Sequence, residues 1–107
     1  MSIDYAKYVS DLVARARAAQ EAIENYTQEQ VDELCAAIAY RTTRPEWAQQ
    51  AAEMLVAESG MGIAANKVAK IYTKVKGGYR DMKGQKSVGL VEVNEETGIR
   101  KYARPMG

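Results

Sequence analysis

A chain of 107 residues is one small domain by length, able to bury a core yet only modestly stable. Its 47% apolar and 27% charged content is that of a soluble globular protein, and no apolar run approaches the ~18 residues of a membrane span. The net charge of +1 hides an asymmetry: residues 1–65 carry 5 basic and 10 acidic side chains, residues 66–107 carry 10 basic and 4 acidic.

The first predicted helix runs from about Asp4 to Glu24. Tyr5, Tyr8, Val9, Leu12, Val13, Ala16, Ala19 and Ile23 recur at spacings of three and four, an apolar stripe on one side. Thr27-Gln28-Glu29-Gln30 has the pattern of a capping box and opens a second helix to about Tyr40, with Val31, Leu34, Cys35 and Ile38 inward. Thr43 is placed to cap a third helix that starts at Pro45 and ends at Ser59, where Gly60 fits a left-handed stop. A fourth helix is expected from Ile63 to Lys76, ended by Gly77-Gly78. Leu12, Leu34, Ile38, Leu55 and Ile71 lie on these apolar stripes and are the expected inward residues of a packed bundle.

After a loop from Tyr79 to Gln85, Lys86–Val93 and Gly98–Arg104 read as two strands joined through Asn94-Glu95-Glu96-Thr97-Gly98. The predicted fold is mainly α: a four-helix region over residues 1–78, then a loop and a β-hairpin over 79–107, one domain in all. A two-stranded hairpin is weakly stable alone and leaves two open edges. Val88, Leu90, Val91, Val93, Ile99 and Tyr102 are therefore the expected association surface, covered by a second copy across a two-fold axis or by another chain.

Few residues offer chemistry. Cys35 is the single thiol, which excludes an internal disulfide and suits a reducing, cytoplasmic setting; the early Asp4 breaks any secretory signal pattern. Cys35 sits mid-helix among apolar neighbours in a chain without histidine, so the core reading outweighs catalysis. Gly60-Met61-Gly62 lacks the preceding strand and following Lys of a phosphate loop and reads as a helix stop and turn. Without His, and with no spaced carboxylate cluster, no metal site is expected. Lys67, Lys70, Lys74, Lys76, Arg80 and Lys83, interleaved with Tyr72 and Tyr79, form a basic face. Its plain reading is a solvated helix face; its sharper one is a module for nucleic acid or another anionic partner.

Several stretches in order resemble one family. Tyr8-Val9-x-x-Leu12-Val13-x-Arg15-Ala16-x-x-Ala19-Gln20, Tyr26-Thr27-Gln28-Glu29-Gln30-Val31-Asp32-Glu33, Glu58-Ser59-Gly60-Met61-Gly62, Lys67-Val68-x-Lys70, Lys86-Ser87-Val88-Gly89 and Gly98-Ile99-x-Lys101-Tyr102-Ala103-x-Pro105-x-Gly107 resemble the N-terminal part of the CoA-acylating aldehyde dehydrogenases. The chain departs from that pattern at Ala65-Asn66 and at Arg41 and Arg44. The resemblance implies a partial aldehyde-dehydrogenase fold in which the helices pack on a cofactor domain and the hairpin joins a small sheet bridging subunits. The nucleotide-binding sheet and thioester-forming cysteine that it implies lie beyond these motifs. The expectation is a non-catalytic fragment or stand-alone homologue. It would have no catalytic residue, metal or cofactor of its own; NAD and CoA belong to the full-length family. Its partner would be itself or a parent enzyme chain, and neither nucleic acid nor a membrane is expected.

Overall fold

The structure, a computed structural model, describes residues 2–106. Gly107, the last residue of the Pro-x-Gly, lies outside the described residues. Six elements follow in order: α1 (Tyr5–Ile23), α2 (Gln28–Thr42), α3 (Pro45–Ser59), α4 (Ala64–Met82), β1 (Gly89–Asn94) and β2 (Ile99–Ala103). The chain is mainly α, four helices followed by a two-stranded antiparallel hairpin, as the periodicity predicted.

Two compact units divide the chain. One contains α1, the turn after it and the hairpin. Asp4 caps α1 by accepting from the backbone N–H of Lys7 at 3.0 Å, and Lys7 pairs with Asp11 one turn on. Within this unit α1 and the hairpin do not pack on one another. The apolar stripe of α1 is accordingly exposed, Leu12 and Val13 included.

The other unit spans residues 30–85. Its centre is the seam of α3 and α4, connected through residues 60–63. Ala48 and Ala52, one turn apart on α3, are fully buried there. Their methyl groups let the helix backbones come close, and the half-buried Val68, Ile71, Tyr72 and Val75 form the facing stripe of α4. Pro45 starts α3, and Gly60 ends it at φ 67° with its N–H on the carbonyl of Val56.

Three expectations are corrected. Helix α4 does not stop at Gly77-Gly78; it continues to Met82 with Lys83 as its cap. Each helical glycine costs about 1 kcal/mol against alanine, but the apolar stripe carries on through Tyr79 and Met82. The left-handed glycine that follows the helix is Gly84, at φ 84°. Thr43 does not cap α3: its hydroxyl donates back to the carbonyl of Ala39 at 2.7 Å, closing the end of α2, and Arg44 takes the cap position without a side-chain bond. Four of the five inward residues are not buried. Leu12, Leu34, Leu55 and Ile38 keep 39 to 55% of their surface exposed, and Ile71 alone is half-buried. An apolar stripe requires cover, and these four residues have too little of it in their own unit.

Two stability predictions follow from the seam. Ala52→Leu should cost about 1–3 kcal/mol by overpacking, whereas Leu55→Ala should change the stability of the chain alone by less than about 1 kcal/mol. Denaturant titration of both variants checks the contrast. A Cβ built on Gly77 or Gly78 meets nothing within 4 Å. Gly77→Ala and Gly78→Ala should therefore each stabilise α4 by about 0.5–1 kcal/mol, read as slower amide exchange over Tyr79–Met82.

Candidate association surface

The hairpin is held at its root by one side chain. The carboxamide oxygen of Gln28 accepts from the backbone N–H groups of Ser87, at 2.8 Å, and Val88, at 3.1 Å. Its Nε2 donates to Ser87 Oγ at 2.9 Å. One amide thus satisfies two backbone donors and a hydroxyl where the chain enters β1, the work a neighbouring strand would otherwise do. At the far end Asn94 Oδ1 accepts from the N–H of Thr97, and Gly98 at φ 69° turns the chain into β2.

Register decides which side chains share a face. Leu90 opposes Tyr102, Glu92 opposes Lys101, Val93 opposes Arg100 and Asn94 opposes Ile99. Between the first two pairs Val91 is an extra residue, a β-bulge. Directly opposed residues lie on one face of a ladder, so the bulge brings Leu90 and Val93 to the same side although three positions separate them. That face holds Leu90, Val93, Tyr102 and Arg100. The other holds Ile99, Asn94 and the Lys101–Glu92 ion pair at 2.7 Å.

Of the six expected association residues, the structure thus gathers Leu90, Val93 and Tyr102 together and sets Ile99 opposite. Val91 falls in the bulge, and Val88 lies in the root held by Gln28. Leu90, Val93, Ile99 and Tyr102 are all exposed. The bulge left no signal in the sequence, where Leu90-Val91-Glu92-Val93 alternates poorly under any single register. Gln28 was missed as well; it read as part of a capping box, and its partners lie 59 and 60 positions away.

The other candidates are dispersed. Cys35 lines an open groove of about 400 Å³ between α2 and α4 with Ile38, Ala39, Val75, Gly78, Tyr79 and Met82, beside Lys74. No base accompanies it. Helical geometry divides the basic residues into a row of Lys67, Lys70 and Lys74 and a second row of Lys76 and Arg80, on either flank of the apolar stripe, with Lys83 just past the helix. Lys76 lies over the ring of Tyr72 at 5.1 Å from its centroid. Gly60-Met61-Gly62 joins two helices, and a Cβ at Gly62 would stand 2.6 Å from Lys67 Cε. That glycine gives room to a lysine stem, and with no strand before it the segment does not fit a dinucleotide phosphate. Among the described residues no group of three potential ligands could hold a metal ion, and no helix is long and apolar enough to cross a membrane.

The sequence of these helices and this hairpin is similar to that of known proteins. The sulfoacetaldehyde dehydrogenase (acylating) of Bilophila wadsworthia is 48% identical over 101 residues, covering 94% of this chain and 22% of that protein. The chain matches the N-terminal segment of the acylating aldehyde dehydrogenases, at 32 to 48% identity to four of them. A sulfoacetaldehyde dehydrogenase of an Acholeplasma species is 41% identical over 92% of this chain and 20% of its own length. The aldehyde-alcohol dehydrogenase of Clostridium acetobutylicum is 35% identical over 100% of this chain and 12% of its own. The chain thus spans about a fifth of the length of the first two relatives. No family model and no solved structure matches it.

Gln28→Ala should loosen the hairpin root by about 1–2 kcal/mol, at about 1 kcal/mol per net hydrogen bond lost and partly water-compensated. The amides of Ser87 and Val88 should exchange faster, with those of α4 unchanged. Gln28→Glu keeps both acceptor bonds and loses only the donor to Ser87, so it should fall between wild type and alanine.

Proposed function

We propose that this chain is a structural and association segment of an acylating aldehyde dehydrogenase and is not itself a catalyst. The observation that carries the reading is the match of nearly the whole chain to about a fifth of such enzymes, supported by the apolar faces that its own units leave exposed. The helices would cover, and be covered by, the remainder of a parent enzyme. The hairpin would contribute to a sheet shared with another chain. Catalysis needs an activated nucleophile and a cofactor cradle, and neither is supported here: Cys35 has no base beside it, and the glycine turn serves a helix pair.

The reaction belongs to the parent. An aldehyde, CoA and NAD+ would give acyl-CoA, NADH and a proton, with the hydride passing from the aldehyde carbon to the nicotinamide and the CoA sulfur bonding to the acyl carbon. Because the first relatives are sulfoacetaldehyde dehydrogenases, sulfoacetaldehyde is the first aldehyde to test. A second reading, an anion-binding module, is favoured by the two basic rows of α4; a gel shift that vanishes with salt would support it over the first.

The purified chain should produce no NADH from aldehyde, CoA and NAD+, and Cys35→Ser should change nothing. Turnover abolished by Cys35→Ser defeats the non-catalytic reading. Sedimentation of the chain with the complementary part of a relative, at tens of micromolar, should show association that proline at Leu90 weakens by disturbing the hairpin ladder. A strictly monomeric chain, alone and with the complementary part of a relative, defeats the association reading.

A further inference from the structure

The two outer edges of the hairpin differ. β1 is irregular twice in six residues: Gly89 sits at φ 69°, and Val91 bulges out of register. Both features bend an edge away from further pairing. β2 is five residues long, without glycine, proline or positive φ, and each residue from Ile99 to Ala103 has its partner on β1. Its outer backbone groups form the regular template of the pair. The charges along it share one sign: Arg100 and Lys101 lie within the strand, Arg104 follows, and no acid stands between Gly98 and Met106. Lys101 is answered by Glu92 across the ladder. Arg100 opposes Val93 and has no ion pair among the described residues.

Such an edge selects its neighbour. A second β2 laid antiparallel against the first would bring basic residues together in every central register, and like charges directly opposed destabilise a ladder. The two-fold copy expected from the sequence is thus disfavoured at this edge, while an acidic strand is favoured. Building on the reading of the hairpin as an association element, we propose that the outer edge of β2 receives an extended partner segment carrying a carboxylate beside Arg100 and an apolar side chain beside Tyr102. The new strand would complete the face of Leu90, Val93 and Tyr102, with main-chain bonds supplying affinity and Arg100 supplying choice.

The test uses the whole chain, labelled for NMR, with synthetic peptides repeating Glu-Thr-Val-Thr, which set glutamate and valine two positions apart on one face, and matched peptides repeating Lys-Thr-Val-Thr. The glutamate peptide should protect and shift the amides of Ile99–Ala103, bind several-fold more tightly than the lysine peptide, and lose that advantage as salt is raised. Arg100→Glu should reverse the preference, and Arg100→Gln, which removes the charge without reversing it, should reduce it. Binding mapped to β1, or binding with no charge preference, overturns the edge assignment and leaves the hairpin as an association element. A chain that binds neither peptide and stays monomeric beside the complementary part of a relative overturns both.

Discussion

The constraint on which this structure turns is the shortage of apolar cover. Helices with one apolar side, and strands with an unpaired edge, are stable where something else takes up those surfaces. Here the fully buried apolar residues among those described are two alanines, Ala48 and Ala52. Their small size permits the close α3–α4 approach, yet small side chains contribute little transfer free energy. The larger residues that would contribute more, such as Leu55 on α3 and Leu12 on α1, keep much of their own surface in water. At about 25 cal/mol per Å² of apolar area, covering such surface is the largest favourable term left open to the chain.

Polar groups are treated differently from apolar ones. No buried side-chain nitrogen or oxygen among the described residues lacks a partner. Backbone groups at breaks in regular structure are met by side chains close at hand: Asp4 at the start of α1, Thr43 at the end of α2, Asn94 in the hairpin loop. Gln28 does the same over a long sequence separation, and it does so where the hairpin leaves the rest of its unit. Buried polar side-chain atoms are thus satisfied while hydrophobic burial is incomplete. A segment shaped to sit in a larger assembly has this character, since hydrogen bonds close within elements and apolar faces close between them.

Charge acts at a third level. The excess of basic residues after residue 65 is spread along α4 and β2 rather than drawn into one site. On α4 it flanks an apolar stripe, where lysine stems can lie along the helix with their ammonium groups in water. On β2 it lies along an open backbone edge, where it discourages pairing between identical strands.

The sequence by itself determined the elements. Periods of three and four located all the helices, Pro45 and Gly60 bounded α3, and the run from Val88 to Tyr102 predicted the hairpin, because each of these signals is local and set by backbone geometry. The resemblance carried by ordered short motifs reached the family for the same reason: it depends on order along the chain. Where helix signals competed, sequence alone failed. Gly77-Gly78 read as a stop, but the apolar stripe through Tyr79 and Met82 outweighed a propensity cost of about 1 kcal/mol per glycine. Burial was beyond its reach, since periodicity names the side of a helix that is apolar and not whether anything covers it; Leu12, Leu34, Ile38 and Leu55 show the difference. The bulge at Val91 and the clamp of Gln28 on Ser87 and Val88 were decided only in three dimensions. Register depends on how two strands meet, and a hydrogen bond across some 60 positions leaves no trace in local pattern.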